Sequence, residues 1–357
     1  MKIGIVGQPF SGKTTLFEAI IKKEIDLNNP SLQKNKYIPH IVQIHDERVE
    51  KLCEIYNPKK RSPAAIEFVD FMGISEQENF TGFDTAILNG FKLMDAFVIV
   101  LRGFELYENK GDCLRELETV VTEFQISDQI IIETRLDRLE SQIKKTNKTE
   151  LKEEQALLIK CKDYLDKEIP LYSGEFSEYE LKLIRGFQFL SLKPIYIVIN
   201  LEEKKWQSQK EIQSYLPEKW TKRYPVMTLC AQIEREIALL DEEDSILFME
   251  EYGIKEPVTD KMVKAVFDLL SYINFFTVGE DEVKAWTIRK DFPAKKAAGV
   301  IHSDIERGFI RAEVISYDHF KECGYSSTTA KEKGLWRLEG KEYIVQDGDI
   351  INFRFAV

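Results

Sequence analysis

Residues 7–14 read Gly-Gln-Pro-Phe-Ser-Gly-Lys-Thr, between the apolar run "KIGIV" and the helix-like run "TLFEAIIKK". No other feature constrains the fold as much, because a G-x-x-x-x-G-K-[ST] spacing works only as the turn from a buried strand into a helix. Gly7 and Gly12 let the backbone wrap around phosphate oxygens. The N–H groups of Gln8, Pro9, Phe10 and Ser11, where present, and the helix N-terminus then form an anion nest. Lys13 faces the β- and γ-phosphates, the Thr14 hydroxyl is placed to ligate Mg²⁺, and Thr15 continues the first helical turn. A glycine-rich turn without a ligand is the alternative, and the full pattern with both flanks speaks against it.

At 357 residues the chain is long enough for two or three domains with their own cores. Hydrophobic residues at 43% and charged residues at 31% fit a globular chain rather than a disordered one. The net charge of −11 argues against global wrapping of nucleic acid and leaves room only for a local basic face. The five cysteines are scattered, odd in number and without a C-x-x-C pair, so reduced thiols are expected rather than disulfides or a zinc site. His40 and His45, five apart, do not suggest a metal centre either. The start on "MKIGIVG" predicts no signal peptide, and no apolar run is long enough to span a bilayer. The expected compartment is the cytoplasm, without membrane contact.

Parallel-strand-like apolar runs recur at "KIGIVG", "AAIEFVD", "DAFVIVLRGF", "PIYIVIN" and "YPVMTL", with helical stretches such as "FDTAILNGFKLM" between them. Strands alternating with helices predict an α/β fold with a mostly parallel, doubly wound sheet, whose ligands sit at the carboxyl ends of the strands. Residues 128–190 interrupt the alternation. "TRLDRLESQIKK" and "LLIKCKDYLDKEI" place Leu136, Leu139 and Ile143, and Leu158, Cys161 and Leu165, at helical spacing. Two antiparallel helices are expected there, forming an inserted coiled-coil-like arm whose charged faces are either solvated or a partner contact. From about residue 276, alternating segments with Gly-Asp turns predict a separate β-rich module with one helix, able to be removed without unfolding the rest. The expected division is 1–127 and 191–275 for the nucleotide domain, 128–190 for the arm and 276–357 for the C-terminal module.

Two further strand ends carry chemistry. "IEFVDFMG" places Asp70 where an acid would hold Mg²⁺ through water, and Gly73 where an N–H would meet the γ-phosphate. Lys13 and Gly73 are therefore the candidate catalytic contacts, and Thr14 and Asp70 the candidate metal holders. Ile74 follows where many GTPases carry the glutamine that orients the attacking water, and a hydrophobic residue cannot do that. "NLEE" places Asn200 and Glu203 as a variant of N-K-x-D, with Leu201 in place of the lysine that packs on the base. Asn-x-x-Glu is equally a helix capping box, and both roles stay open. Losing a well-aligned Asp pair to guanine N1–H and N2–H₂ would remove most guanine preference, at roughly 1.5–3 kcal/mol per charge-assisted bond. Adenine becomes plausible, with Cys230 and Ala231 supplying backbone contacts to the base edge.

Together these residues resemble the YchF-type, Obg-related NTPases over most of the chain. The order of P-loop, "IEFVDFMG", helical arm and N-x-x-E matches that family. "FFTVGEDEVKAWTIRK", "AAGVIHSDIERGFIRAEVISYDHF" and "WRLEGKEYIVQDGDIINFRF" look like its TGS domain. The resemblance implies an ATP-preferring NTPase with a hydrophobic residue replacing the catalytic glutamine, as Ile74 does, and association with ribosomes. It departs where the family's switch threonine is replaced near Lys34, and where "ISEQENFTGFDTAIL" replaces a glycine-rich switch, marking a diverged member.

Two functions from different classes remain. One is a weak hydrolase of ATP, or of GTP, that uses Mg²⁺ as a switch on the ribosome or ribosomal RNA. The other is a non-hydrolysing nucleotide-binding module or an RNA adaptor working through the TGS-like domain. The chain is expected to act as a monomer.

Overall fold

The computed structural model describes residues 1–26, 37–71, 83–103, 110–146, 148–208 and 216–356. It separates into two compact units. One comprises residues 1–41 and 67–261, the other residues 42–66 and 262–357.

The first sheet has the order β2-β4-β1-β5-β6-β7. Its strands are β1 (Lys2–Val6), β2 (Tyr37–Gln43), β4 (Ala65–Phe71), β5 (Ala96–Arg102), β6 (Ile195–Asn200) and β7 (Val226–Leu229). β1 runs parallel to both β4 and β5, β5 to β6, and β6 to β7. The five apolar runs singled out in the sequence are five of these six strands. β5 reads Ala-Phe-Val-Ile-Val-Leu with every one of the six buried, as a parallel strand covered on both faces requires. β2 gave no such signal: it alternates exposed and covered residues at one edge of the sheet and contains Pro39. Because the chain places β4 on one side of β1 and then crosses to place β5 on the other, the sheet reverses its strand order at β1, and the loop after β1 opens into the crevice there.

One face of this sheet is held by an aromatic cluster. Phe91, on helix α3 (Thr85–Lys92), meets Phe71, Phe83, Phe97 and Phe124 with ring centroids 4.6–5.5 Å apart, mostly edge to face. Helix α4 (Lys110–Thr146) runs for 37 residues. Its Leu117, Val120, Val121 and Phe124 belong to the sheet's core, whereas Ile132 and Leu139 belong to a second core with Leu158, Cys161 and Leu165 of α5 (Thr149–Leu165). The boundary expected at 127/128 thus falls inside a continuous helix, at the point where it exchanges one apolar partner for another. The two helices are antiparallel, as Gln129–Asp166, Glu133–Lys162 and Arg135–Glu154 pairs show at 3.0, 2.9 and 2.7 Å.

Asp128 marks that exchange. Fully buried, it accepts hydrogen bonds from Leu190 N, Ser191 N and Ser191 Oγ at 2.8, 2.8 and 2.6 Å, tying α4 to the segment that leads into β6. Burial pushes its carboxyl up to about 6, against those three donors. Between the ordinary Asp value near 4 and about 6, the native state therefore binds more protons than the unfolded one, and stability falls as pH rises through that window. Urea midpoints measured across pH 4–6 are expected to show this slope and to lose it in Asp128→Asn.

The second sheet has the order β11-β10-β12-β8-β9-β3. β8 (Tyr272–Thr277), β9 (Glu282–Arg289), β10 (Phe309–Ser316), β11 (Arg337–Glu339) and β12 (Asp349–Phe355) come from the C-terminal region. Four short helices accompany them among the described residues, Ala294–Ile301, Ser303–Arg307, Tyr317–Glu322 and Ser327–Glu332, where one was expected. The first of these packs Ala294, Ala297 and Ala298 into the sheet's core, where small side chains permit close approach.

The sixth strand, β3 (Lys60–Ser62), comes from far upstream and pairs in parallel with β9, Lys60 opposite Glu282. With it comes helix α2 (Glu47–Tyr56), capped by Asp46. Arg48 on α2 reaches Asp46 and Asp347 at 2.8 and 2.6 Å and lies 5.0 Å from the Phe276 ring centre. Residues 42–66 thus fold with the C-terminal strands. The expected cut at 276 falls within β8, and a chain ending there would lose the strand that β3 pairs with. The C-terminal module therefore includes residues 42–66 as well as the strands expected from about residue 276. Arg48→Ala, which strands Asp46 and Asp347, is expected to lower stability by about 1–3 kcal/mol in chemical denaturation.

Candidate nucleotide-binding site

The loop after β1 carries strain in the places a phosphate cradle needs. Gly12 sits at φ 85°, and a side chain there would run into the Asn200 amide; one at Gly7 would meet the Val100 carbonyl and Ser11 Oγ. Phe10 also adopts a left-handed φ of 63°, with its ring 82% exposed. Such a conformation costs an aromatic residue about 1–3 kcal/mol and persists only where the surroundings impose it. Helix α1 (Lys13–Ile21) starts with neither a side-chain cap nor an acid in its first turn, so its N–H groups are left for an anion.

Lys13 is not solvent-facing. It is only 8% exposed, and its Nζ donates to Gln8 O at 3.2 Å, folding back over its own loop. Burial lowers its pKa, and nearby Asp70 works in the opposite direction. Asp70, at the end of β4, is fully buried and accepts a hydrogen bond from Thr14 Oγ1 at 2.7 Å through Oδ2. Its pKa is raised by burial, against Thr14 and Lys13. Oδ1 of Asp70 and Oγ of Ser11 are buried without a hydrogen-bond partner among the described residues. Sequence spacing placed Thr14 and Asp70 together, and the structure brings them into contact. The expected contact at Gly73, the substitution at Ile74 and the switch position near Lys34 lie outside the described residues.

At the other strand end, Asn200 is not a helix cap. Its Nδ2 donates to Ser11 O at 2.9 Å, and its Oδ1 accepts from Ala231 N at 2.9 Å. The amide thus ties the phosphate loop to β6 and to the start of helix α6 (Ala231–Leu239). The capping-box reading fails for a second reason: Glu203 opens a 3-10 helix, Glu203–Ser208, and its carboxylate takes the Tyr252 hydroxyl instead of a backbone N–H. Leu201 does not stand in for a base-packing lysine. It is 3% exposed within the sheet's core, as an apolar side chain next to a buried strand will be. Cys230 and Ala231 are buried, and the Ala231 N–H is already committed to Asn200.

With this geometry in place, known proteins give a consistent answer. The family model YchF-GTPase_C, described as "Protein of unknown function (DUF933)", matches residues 272–356. Ribosome-binding ATPase YchF of Bacillus subtilis is 38% identical over 366 residues, covering 99% of both chains. Obg-like ATPase 1 of Oryza sativa subsp. japonica is 36% identical, over 100% of this chain and 92% of its own. The Schizosaccharomyces pombe YchF GTPase structure superposes with a TM-score of 0.81 at 30% identity, over 99% of this chain and 97% of that one. The chain belongs to the YchF/Obg-like ATPase family.

Two residues beside this YchF-family site escaped the sequence reading. Arg102, the last residue of β5, donates to Glu116 at 2.8 Å and approaches Gln8 Oε1 of the phosphate loop at 3.4 Å. A charge closing a wholly apolar strand was the signal for it. Tyr252 had no signal, being 49 residues from the glutamate it holds. Asn200→Ala would leave Ser11 O and Ala231 N buried and unpaired, a loss of about 2–4 kcal/mol. Urea denaturation should register that loss, and a nucleotide titration should show at least about tenfold weaker triphosphate binding, about 1.4 kcal/mol.

Proposed function

We propose that this chain is a Mg²⁺-dependent P-loop ATPase of slow turnover, converting ATP to ADP and phosphate and serving as a nucleotide-controlled switch on the ribosome. One observation carries the reading. Lys13, Thr14 and Asp70 converge at one corner, with a buried carboxylate oxygen and a buried Ser11 hydroxyl left without partners.

That donor set fits a hydrated Mg²⁺, with Thr14 Oγ1 as ligand and Asp70 accepting from metal-bound water. Thr14 and Asp70 would hold that ion, which would supply positive charge against the developing negative charge of the polyphosphate. Lys13 exchanges the Gln8 carbonyl for phosphate oxygens. The backbone N–H groups of the loop, Pro9 having none, and of the α1 N-terminus bind the rest of the polyphosphate. Asn200 holds the loop in shape, and Glu203 reads the base, one methylene longer than the aspartate of N-K-x-D and so disposed toward adenine.

The ribosome enters from the relatives, which are named ribosome-binding ATPases. Cytoplasmic location, a monomeric state, and RNA contact through the TGS-like C-terminal region belong to the same reading. It is consistent with the finding that no helix among the described residues is long and apolar enough to cross a membrane.

Calorimetric titration of Mg-ATP and Mg-GTP, with steady-state phosphate release, tests the proposal. Tighter ATP binding and measurable phosphate release are expected. Lys13→Ala should weaken ATP at least about tenfold and abolish release, since it removes the cation placed on the β- and γ-phosphates. Binding without release above the Lys13→Ala background would make the chain a non-hydrolysing module. A GTP affinity equal to or above that for ATP would make it a GTP-binding protein.

A further inference from the structure

Glu203 is an exposed acid on a short 3-10 helix, a position where a long side chain would ordinarily sample several rotamers. Here it is held. Tyr252, the residue that closes helix α7 (Glu242–Glu251), donates its phenolic O–H to Glu203 Oε1. The tyrosine is itself fixed from three sides. Its backbone carbonyl accepts from Trp206 Nε1 at 2.8 Å, its ring stacks obliquely on Phe248 at 5.1 Å, and its body packs on the cluster of Trp206, Cys230 and Ile233. That cluster lies beside the Asn200–Ala231 corner, and the Glu203 charge is felt by the Cys230 thiol. A mobile carboxylate is thereby given one orientation by an anchored phenol.

We propose that Tyr252 is a positioning residue that sets the nucleobase preference by occupying one oxygen of Glu203. The proposal rests on the assignment of the base corner above. Guanine offers two adjacent donors, N1–H and N2–H₂, and satisfying both in one plane takes both oxygens of an unencumbered carboxylate. Adenine offers a single donor group on its Watson–Crick edge, the exocyclic amino group, beside the N1 acceptor. The phenol takes a lone pair of Oε1 and fixes the carboxylate plane, so that Oε2 is the oxygen left free to meet a base donor. One oxygen suffices for the adenine amino group, whereas guanine, which needs both oxygens in its own plane, leaves one donor desolvated and poorly paired. The same bond to the carboxylate pushes the phenol up to about 12, so it stays a donor across the neutral range. No chemistry of Tyr252 with the phosphates is involved; it acts through Glu203 alone.

Tyr252→Phe removes only the hydroxyl and keeps the ring with its packing. Mg-ATP and Mg-GTP are titrated calorimetrically into the full-length wild type, Tyr252→Phe, Glu203→Gln and the double variant, each with a thermal melt. The expected result is an ATP-to-GTP affinity ratio about fivefold lower in Tyr252→Phe, gained mainly on the GTP side. The double variant should show no further change beyond Glu203→Gln, because both residues act on one interaction. If Glu203→Gln moves the ratio and Tyr252→Phe shifts only the melt, Tyr252 is a tether for α7; the proposal then falls while the base corner stands. If neither variant moves the ratio, the base corner itself is misassigned and the proposal falls with it. A Tyr252→Phe effect that persists undiminished on the Glu203→Gln background would also overturn it.

Discussion

The Asn200 side chain is the interaction on which the nucleotide site depends. One amide group bonds the Ser11 carbonyl in the phosphate loop and the Ala231 N–H at the head of α6, joining the ends of three segments. Neither partner could be satisfied by water, since both bonds are buried. Gly12 is needed for the same reason: a Cβ there would occupy the space of that amide. A second tie runs along the helices, where Arg235 of α6 donates to Glu18 of α1 at 2.7 Å. The loop's left-handed residues are thus imposed by contacts from outside the loop, which is how strained backbone persists.

A covalent constraint acts on β4. Residues 42–66 belong with the C-terminal strands, yet they connect β2 to β4, and β4 ends on Asp70. The strand that ends on Asp70 therefore starts within a segment whose own packing, through β3 and Arg48, is supplied by residues beyond 262. β3 cannot stand by itself: it is three residues long, and a strand of that length needs a sheet to join.

How far the sequence could be read follows from whether each determinant is local. The five buried strands were legible because each is a short apolar run bounded by turns, and the phosphate loop because its spacing is itself the mechanism. The Thr14–Asp70 contact followed from two strand ends on one parallel sheet. What stayed illegible depends on pairs distant in the chain. β3 reads as a polar Lys-Arg-Ser and becomes a strand only opposite β9. The length of α4 was hidden because its apolar stripe serves two cores in succession. Leu201 was misread by analogy of position, although its apolar character already argued for the core. Glu203's partner could not have been named from Asn-x-x-Glu, where local capping competes on equal terms.

The electrostatics of the site also explain why its residues are disposed as they are. Asp70 is a carboxylate whose burial favours the neutral form, Lys13 an ammonium whose burial does the same, and each is only partly relieved by the other. Ser11 Oγ and Asp70 Oδ1 lack partners, Phe10 is left-handed, and the α1 N-terminus is uncapped. Each of these is unfavourable for an isolated fold, and a sequence selected for stability alone would remove them. The ligand of the proposed function would relieve the unpaired groups together: a polyphosphate would supply acceptors for Lys13, Ser11 and the free N–H groups, and a divalent cation bound with it would supply positive charge for Asp70. Because that ligand binds the folded state and not the unfolded one, its binding free energy is added to stability in proportion to RT ln(1 + [L]/Kd). The instability concentrated at this corner is therefore the structural counterpart of affinity, and it lies in the fifteen residues after the start and at two strand ends, not in the aromatic core that supports them.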